Sequence, residues 1–271
     1  MSQLLFQSIQ AAVEAGKSIM EVYATDFGVE IKIDQSPVTL ADKRAHDLIL
    51  DLLSRTDIPV ISEEGMVVPF DQRKTFDTFW LVDPLDGTKE FVKRNDEFTV
   101  NIALIKEQKA IMGVIYAPVF DLLYFTFENK AYKLVHASKI ISESRHVTEF
   151  VEKSICMPII QKNESLRLIT SRSHHNMETR SYIEKLRSMN PELKIIRCGS
   201  SLKLCKVAEG LAEVYPRFGN TSEWDIAAGH AIISACGGRI VEAYNPDHEL
   251  LYNKESMNNP PFIAYSSTFK T

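Results

Sequence analysis

Two aspartates lie three residues apart in the segment WLVDPLDGTKEF, residues 80–91. Asp83 and Asp86 flank a proline and follow an apolar run that predicts a buried strand. Turn chemistry alone accounts for the segment, because proline fixes φ, aspartate bonds nearby backbone and glycine accepts a positive φ. Carboxylates grouped at the end of a strand are also typical of a site for a hard cation. The segment therefore predicts either a turn or one side of a metal site.

Three further segments place carboxylates at the ends of predicted elements. Asp42 follows Thr39 in a capping-box pattern. Glu63 and Glu64 end a short β-like run, and Asp225 lies where a helix is predicted to begin. Taken singly, a helix cap, a solvated loop and a favourable helix dipole explain these acids. Taken together, they could supply the bridging carboxylates that two Mg²⁺ ions about 4 Å apart require.

Histidine and cysteine spacing indicates no competing metal site. The seven histidines form no HExxH-like pair, and the four cysteines form no CxxC pair. We therefore expect reduced cysteines in the core, and neither a disulfide framework nor a zinc site.

Composition limits the class of protein and its partners. The 271 residues are 45% hydrophobic and 25% charged, which excludes disordered, collagen-like and coiled-coil chains. A net charge of -5 argues against nucleic-acid binding, because such a surface usually needs a basic excess. Residues 1–23 show helical spacing without the basic start of a signal peptide, and no run of about 20 apolar residues occurs. We expect a cytoplasmic protein without a transmembrane segment.

The elements that would position the acids fall into two parts. An amphipathic N-terminal helix and a second helix that begins after Pro37 precede residues 78–134, where closely spaced β-like runs favour an antiparallel meander. Further along, strands and helices alternate, which suggests an α/β part. The predicted boundary near Lys162 gives an α+β metal-binding domain at 1–162 and an α/β domain at 163–271 that completes the site.

Four motifs carry a resemblance to a known family. PVTLAD, SEE, DPLDGT and WDIAAGHAIISACGG, in this order, resemble the lithium-sensitive, magnesium-dependent phosphatase superfamily that includes inositol monophosphatase and fructose-1,6-bisphosphatase. DGTKEFVKRNDEFTVNIALI, ITSRSH, GSSLKLCKVAEG and YPRFG resemble its bacterial 3'(2'),5'-bisphosphate nucleotidases. Lys89, Glu90 and Phe91 replace the threonine-asparagine-phenylalanine run usual in inositol monophosphatases. The resemblance covers nearly the whole chain and implies a layered αβαβα fold.

The resemblance implies an enzyme that removes the 3'-phosphate of adenosine 3',5'-bisphosphate to leave AMP, by in-line attack of a metal-activated water. It implies two or three Mg²⁺ ions, inhibition by Li⁺, a role in sulfur metabolism, and a monomer or homodimer. Bacterial members are sometimes associated with the cytoplasmic face of the inner membrane, although this N-terminal helix is not strongly basic. Alternatives are activity on inositol monophosphates or fructose 1,6-bisphosphate and, in another class, a non-catalytic nucleotide or metal sensor.

The resemblance also assigns roles to individual residues. The implied metal ligands are Glu63, Asp83, the Leu85 carbonyl, Asp86 and Asp225. The implied catalytic residues are Asp42, Glu63 and Thr88. The implied substrate contacts are Asp86, Gly87, Thr88, Lys89, His174, Ser200, Lys203, Arg217 and Asp225.

Thr88 and Asp42 would relay the proton of the attacking water. The amides of Gly87 and Thr88 would receive phosphate oxygens if they open a helical turn. A helix N-cap, a solvated helix position and a surface charge are alternative explanations for Ser200, Lys203 and Arg217.

Overall fold

The computed structural model describes residues 1–31, 37–159, 165–172 and 176–269. His174 and the boundary predicted near Lys162 lie outside these ranges, as does the end of the strand predicted over VEIKI.

The helices of the described ranges differ widely in length. They are α1 (Ser2–Tyr23), α2 (Leu40–Ser54), α3 (Phe70–Arg73), α4 (Thr88–Val92), α5 (Ala137–Glu143), α6 (Val147–Val151), α7 (Met177–Met189), α8 (Leu202–Ala208) and α9 (Glu223–Ala235). Within the parts of the chain that the structure describes, none is both long and apolar enough to cross a lipid bilayer.

The strands form a short hairpin and two larger sheets. They are β1 (Val29–Ile31), β2 (Pro37–Thr39), β3 (Val60–Ser62), β4 (Thr78–Asp86), β5 (Thr99–Lys106), β6 (Lys109–Ala117), β7 (Leu122–Phe127), β8 (Lys130–Val135), β9 (Ile155–Met157), β10 (Arg167–Ser171), β11 (Lys194–Cys198), β12 (Val214–Arg217), β13 (Arg239–Glu242), β14 (Asn245–Glu249) and β15 (Phe262–Tyr265).

The first large sheet contains the predicted meander. Its described strands run in the order β3-β4-β5-β6-β7-β8-β9, and β4 to β9 pair antiparallel with their neighbours. The antiparallel prediction is therefore confirmed. The edge strand β3 pairs parallel with β4, so the C-terminal ends of both strands meet at the same edge of the sheet.

The second large sheet is only partly of the α/β kind. Its order is β11-β10-β12-β15-β13-β14, in which β10 pairs parallel with both β11 and β12. The predicted alternation of strands and helices is confirmed from β10 to β13. The strands β13, β14 and β15 pair antiparallel, so this half of the sheet lacks the parallel pairing of an α/β sheet. No described helix separates these three strands along the chain, and a parallel pairing would need a long crossover between them.

The layers follow from the alternation of side chains along the strands. Trp80 and Val82 of β4 pack in a core cluster with α1 and α2, whereas Phe79 and Leu81 pack on the opposite face with α8 and α9. The second face of the other sheet packs against α7. The order is therefore α, β, α, β, α, as the resemblance implies. The central cluster combines residues from both predicted domains, and the domain boundary stays a prediction.

The cysteines are unpaired, as predicted. Cys198, Cys205 and Cys236 are buried, but Cys156 is exposed because it lies on the edge strand β9. The expectation that all four lie in the core is wrong for this residue.

Candidate active site

The DPLD segment forms the irregular end of β4 and is not a turn that follows the strand. Asp83 pairs with Asn101 and Asp86 with Thr99, so two residues of β4 oppose one residue of β5. Pro84, which has no N–H to donate, lies in this bulge, where the strand tolerates it. Side chains three residues apart on a regular strand face opposite sides. The extra residue changes that alternation, and both aspartates line the same cavity.

Three carboxylates converge at the edge where β3 and β4 end. One oxygen from each of Glu63, Asp83 and Asp225 lies within 4.8 Å of the others. The N–H of Glu63 continues the pairing of β3 with β4 by donating to the Val82 carbonyl at 3.1 Å. Asp225 reaches the cluster from the first turn of α9, where it accepts the N–H of Ser222 at 2.9 Å in a capping box.

The electrostatics of this cluster favour a cation. Burial raises the pKa of Asp83 well above its usual range, and the charges of Glu63 and Asp86 raise it further. Burial, followed by the charges of Asp86 and Glu63, raises the pKa of Asp225 to about 8. Buried carboxylates that repel one another must hold protons or a positive ion. Because the donors are all oxygens, these residues fit a hard divalent ion such as Mg²⁺.

Asp86 lies beside this group and is held by residues that the sequence reasoning missed. Ser201 donates to Asp86 Oδ2 at 2.6 Å, and Asn101 Nδ2 lies 3.4 Å from the same oxygen. Asn101 also donates to Ser201 Oγ at 2.9 Å. The sequence did contain one signal for this contact, the polar Asn101 within a largely apolar strand. The structure shows that Asn101 is fully buried. The serine that contacts Asp86 is therefore Ser201, the neighbour of the predicted Ser200.

Thr88 and Asp42 are in direct contact. The Thr88 hydroxyl lies 3.1 Å from Asp42 Oδ1 and 3.2 Å from the Leu85 carbonyl, and it can donate its single proton to either. Asp42 Oδ2 accepts the N–H and the hydroxyl of Thr39, each at 2.7 Å. Burial raises the pKa of Asp42, although the hydrogen bonds from Thr39 oppose the shift. The Asp42 carboxylate therefore forms both the predicted capping box with Thr39 and the predicted contact with Thr88.

Gly87 connects β4 to α4 with a left-handed backbone. Its φ is 94°, and a Cβ there would lie 3.1 Å from the Glu97 carbonyl oxygen and 3.2 Å from Ser200 Cβ. The positive φ therefore favours glycine, and a larger residue would also fit tightly against these two atoms. Thr88 is the first residue of α4. The amides of Gly87 and Thr88 therefore open a helical turn, as their predicted contact with phosphate requires. The contact itself stays a prediction.

A cavity of about 450 Å³ collects most of the predicted site. The predicted residues that line it are Glu63, Asp83, Leu85, Asp86, Gly87, Thr88, Lys89, Ser200, Lys203, Arg217 and Asp225. Asp42 is not among the lining residues and reaches the cavity through Thr88. His174 lies outside the described residues. Trp224, Tyr215 and Asn258 also line the cavity. Tyr215 and Trp224 begin the motifs YPRFG and WDIAAGHAIISACGG, but the sequence analysis assigned no role to them, and Asn258 lies in no motif.

Three basic residues, Lys89, Lys203 and Arg217, line this otherwise acidic cavity. Lys203 is buried, donates to the Ser200 carbonyl, and has its Nζ 5.6 Å from the centre of the Tyr215 ring. Arg217 Nη2 donates to the Asn220 carbonyl at 2.9 Å. Its Nε is buried and has no hydrogen-bond partner among the described residues. A buried donor without a partner is costly, so the position suits an anionic ligand.

The inositol monophosphatase family model matches residues 1–264. The chain belongs to this family. Among curated relatives of the family, the 3'(2'),5'-bisphosphate nucleotidase CysQ of Escherichia coli O157:H7 is 42% identical over 269 residues, which cover 96% of this chain and 98% of that protein.

Solved structures of inositol monophosphatase relatives share the fold. The crystal structure of CysQ from Bacteroides thetaiotaomicron, described as a bacterial member of the inositol monophosphatase family, has a TM-score of 0.92 and 42% identity, with 99% of each chain covered. The extragenic suppressor protein SuhB from Bartonella henselae has a TM-score of 0.74 at 24% identity, covering 98% of this chain and 94% of its own. At that identity the second likeness shows the fold alone.

Proposed function

We propose that this inositol monophosphatase family member is a metal-dependent phosphatase that converts adenosine 3',5'-bisphosphate to AMP and phosphate. The observation that carries the proposal is one cavity lined both by the Glu63, Asp83 and Asp225 cluster and by basic side chains that include Lys203 and Arg217. The carboxylates suit cations, and the basic side chains suit a second phosphate. The relatives that are 42% identical over nearly their whole length are named for this activity.

Lys203 and Arg217 are the proposed contacts for the part of the substrate that does not react. The unpartnered Arg217 Nε and the buried Lys203 ammonium both offer charged donors to an anion. Trp224 and Tyr215 add aromatic surface to the same cavity, which suits a planar base. A monophosphate of inositol would use neither the aromatic surface nor a second phosphate contact.

Mg²⁺ is the proposed metal, with two or three ions held by Glu63, Asp83, the Leu85 carbonyl, Asp86 and Asp225. A bound divalent cation would neutralise charge on the transferring phosphoryl group and lower the pKa of a water molecule. Inhibition by Li⁺, a place in sulfur metabolism, a cytoplasmic location and a monomeric or homodimeric state stay predictions.

The residues of the chain supply the remaining steps. Thr88 Oγ is proposed to accept the proton of the attacking water and to pass its own proton to Asp42 Oδ1, 3.1 Å away. Ser201 and Asn101 fix the orientation of Asp86, so that carboxylate loses little freedom when the site fills. The amides of Gly87 and Thr88 are proposed to bind phosphate oxygens.

The proposal is tested by phosphate release from three substrates with Mg²⁺ present. Adenosine 3',5'-bisphosphate should give a kcat/KM at least about 100-fold above those of inositol 1-phosphate and fructose 1,6-bisphosphate, because only the nucleotide combines a second phosphate with a planar base that can use the aromatic surface. A preference for inositol phosphate would support the alternative phosphatase activity. Binding of AMP without turnover of any substrate would support the non-catalytic sensor.

A pair of variants at the two ends of β4 links the activity to the site. Asp86→Asn keeps the shape of a side chain that lines the cavity, and turnover should fall by at least about 100-fold because a negative charge is lost. Asp77→Asn changes an exposed residue just before the opposite end of the strand and should leave turnover unchanged. Equal activity in Asp86→Asn and Asp77→Asn would contradict the proposed site.

A further inference from the structure

The loop between α4 and β5 is fixed on the end of α1. Arg94 donates to the carbonyls of Tyr23 and Thr25, each at 2.6 Å, and its guanidinium stacks over the Tyr23 ring. The Tyr23 hydroxyl donates to Asp96 at 2.8 Å. Because these contacts hold Arg94 and Asp96 against the end of α1, the backbone that precedes Glu97 is fixed in position.

The Glu97 carboxylate joins this loop to two segments of the second sheet. Arg172, which follows β10, donates through Nε to Glu97 Oε2 at 2.6 Å and through Nη2 to Oε1 at 2.8 Å. The N–H of Gly199, which follows β11, donates to Oε2 at 2.7 Å. Glu97 is only 14% exposed, whereas Arg172 is 48% exposed. A fork of this geometry restricts a carboxylate more than a single ion pair does.

Glu97 contacts the turn from Gly199 to Ser201. Two residues of this turn, Ser200 and Ser201, line the cavity. Ser200 has a φ of 42°, which strains a residue other than glycine and persists only where the surroundings impose it. The Ser200 carbonyl accepts from Lys203, and Ser201 donates to Asp86. The bond from Gly199 to Glu97 lies at the start of this turn. A shift of the turn would therefore move the partners of both Lys203 and Asp86.

The turn and the loop are packed too closely for any other residue at position 199. A Cβ on Gly199 would lie 2.8 Å from Glu90 Cγ and 2.9 Å from both Cβ and the carbonyl oxygen of Glu97. The Glu97 carbonyl oxygen and Ser200 Cβ are also the two atoms nearest to a Cβ added at Gly87. The position of Glu97 thus determines where the turn lies relative to Gly87, which begins the proposed phosphate contact.

The charge of Glu97 is retained at neutral pH. Burial acts to raise its pKa, but the hydrogen bonds from Arg172 and from the Gly199 amide hold the pKa below its usual value. The carboxylate can therefore accept from both partners at once.

We propose that Glu97 is a positioning residue for the substrate side of the cavity: its carboxylate fixes the turn from Gly199 to Ser201, and Arg172 holds that carboxylate in place. The contacts stand on their own, and only the identity of the affected ligand rests on the proposed function. Loss of the contacts displaces Lys203 more than Asp86, because Asn101 still holds Asp86. Substrate binding should therefore suffer more than turnover.

The test compares two glutamate-to-glutamine variants that lose the same kinds of bond. Glu97→Gln retains one acceptor oxygen and places an amide group against the Arg172 guanidinium. Glu213→Gln does the same to Arg167, whose Nη2 and N–H lie 2.6 Å and 2.7 Å from the Glu213 carboxylate; neither residue lines the cavity. With adenosine 3',5'-bisphosphate and saturating Mg²⁺, Glu97→Gln should raise KM at least about fivefold and lower kcat less than about threefold.

The control separates positioning from general stability. Glu213→Gln should lower the melting temperature at least as much as Glu97→Gln does, while its KM stays at the wild-type value. If Glu97→Gln folds poorly, Arg172→Gln at the half-exposed partner should raise KM in the same direction. A wild-type KM in a folded Glu97→Gln protein, or in Arg172→Gln, would overturn the proposal.

An amide NMR spectrum tests the turn without reference to activity. The Gly199 N–H resonance should move upfield in Glu97→Gln, because its charged acceptor is replaced, and should not move in Glu213→Gln. If the wild type fails to hydrolyse the bisphosphate but Gly199 responds in this way, the proposed function fails and the positioning role of Glu97 stands. An unchanged Gly199 resonance in Glu97→Gln would overturn the positioning role.

Discussion

At the residue scale, each of two aspartates uses its carboxyl group both to cap a helix and to contribute to the proposed site. Asp42 and Asp225 each occupy the third position of a helix and complete a capping box. Asp225 also belongs to the carboxylate cluster, and Asp42 accepts from Thr88. The cap fixes the side-chain rotamer before any ligand binds. Local structure and proposed chemistry therefore reinforce each other at these positions.

Thr88 gives the sharpest residue-scale prediction. Thr88→Val keeps the branched shape but removes the hydroxyl, so the proposed proton transfer to Asp42 is lost, and kcat should fall by about 100-fold or more. KM should change by less than about threefold, since the proposed phosphate contact uses the Thr88 amide, which the substitution keeps. Thr88→Ser restores the hydroxyl and should recover kcat to within about tenfold. Steady-state kinetics on the three proteins check this, and wild-type kcat in Thr88→Val would exclude the relay.

At the element scale, α9 connects the cavity to the centre of the molecule. Asp225 lies in its first turn, and the next two turns pack between the two large sheets. A Cβ on Gly113 of β6 would lie only 2.2 Å from the Ala228 carbonyl oxygen, so the sheet meets the backbone of the helix directly. His230 is buried in the same helix, with Nδ1 2.8 Å from the Tyr252 hydroxyl. The helix therefore carries an ionisable group into the central layer.

His230 predicts how stability depends on pH. Burial lowers its pKa to about 4, whereas an unfolded histidine titrates near pH 6.5. Between these values the unfolded state binds more protons, so the free energy of unfolding is full above pH 6.5 and falls as the pH drops toward 4. Glu249, 4.0 Å from Nε2, is the facing acid and is largely exposed.

Urea unfolding at pH 7 and pH 5 measures the contribution of His230. The wild type should lose about 2 kcal/mol more between these pH values than His230→Gln does. The variant of an exposed histidine, His248→Gln, should behave as the wild type. The same pH dependence in all three proteins would show that His230 is not the group responsible.

At the scale of the whole molecule, the carboxylate cluster joins different layers. Glu63 and Asp83 come from the edge of the first sheet, and Asp225 comes from the helical layer between the sheets. Without a cation, burial and mutual repulsion oppose this arrangement. A bound ion would both remove the repulsion and link the layers. Metal binding should therefore stabilise the entire fold.

Thermal unfolding with Mg²⁺ or with EDTA tests this coupling. Mg²⁺ at about 100 times its Kd should add about 2.7 kcal/mol and raise the melting temperature by about 5 °C or more, and EDTA should reverse the change. Asp83→Asn removes a charge from the cluster, so it should unfold no earlier than wild type in EDTA and should lose the response to Mg²⁺. Asp77→Asn should keep the response. A full Mg²⁺ shift in Asp83→Asn would contradict the assignment of this aspartate as a ligand.

The sequence by itself determined the elements and chemistry that depend on near neighbours. The capping boxes of Asp42 and Asp225, the apolar run of β4 and the meander over residues 78–134 follow from spacing and turn residues. The order of the motifs led to the family, and the family model supports that prediction. These signals persist in sequence because hydrogen bonds and periodicity within one element involve residues only a few positions apart.

Only the tertiary structure decided which residues hold the site in place. Ser201 meets Asp86 across 115 positions of sequence, and Gly199 meets Glu97 across 102. The bulge at Pro84 depends on its pairing with β5, and the antiparallel half of the second sheet depends on pairing among its last three strands. Such contacts form only after distant segments pack together, so no local pattern distinguishes Ser201 from Ser200 or identifies Glu97 as a partner of the turn.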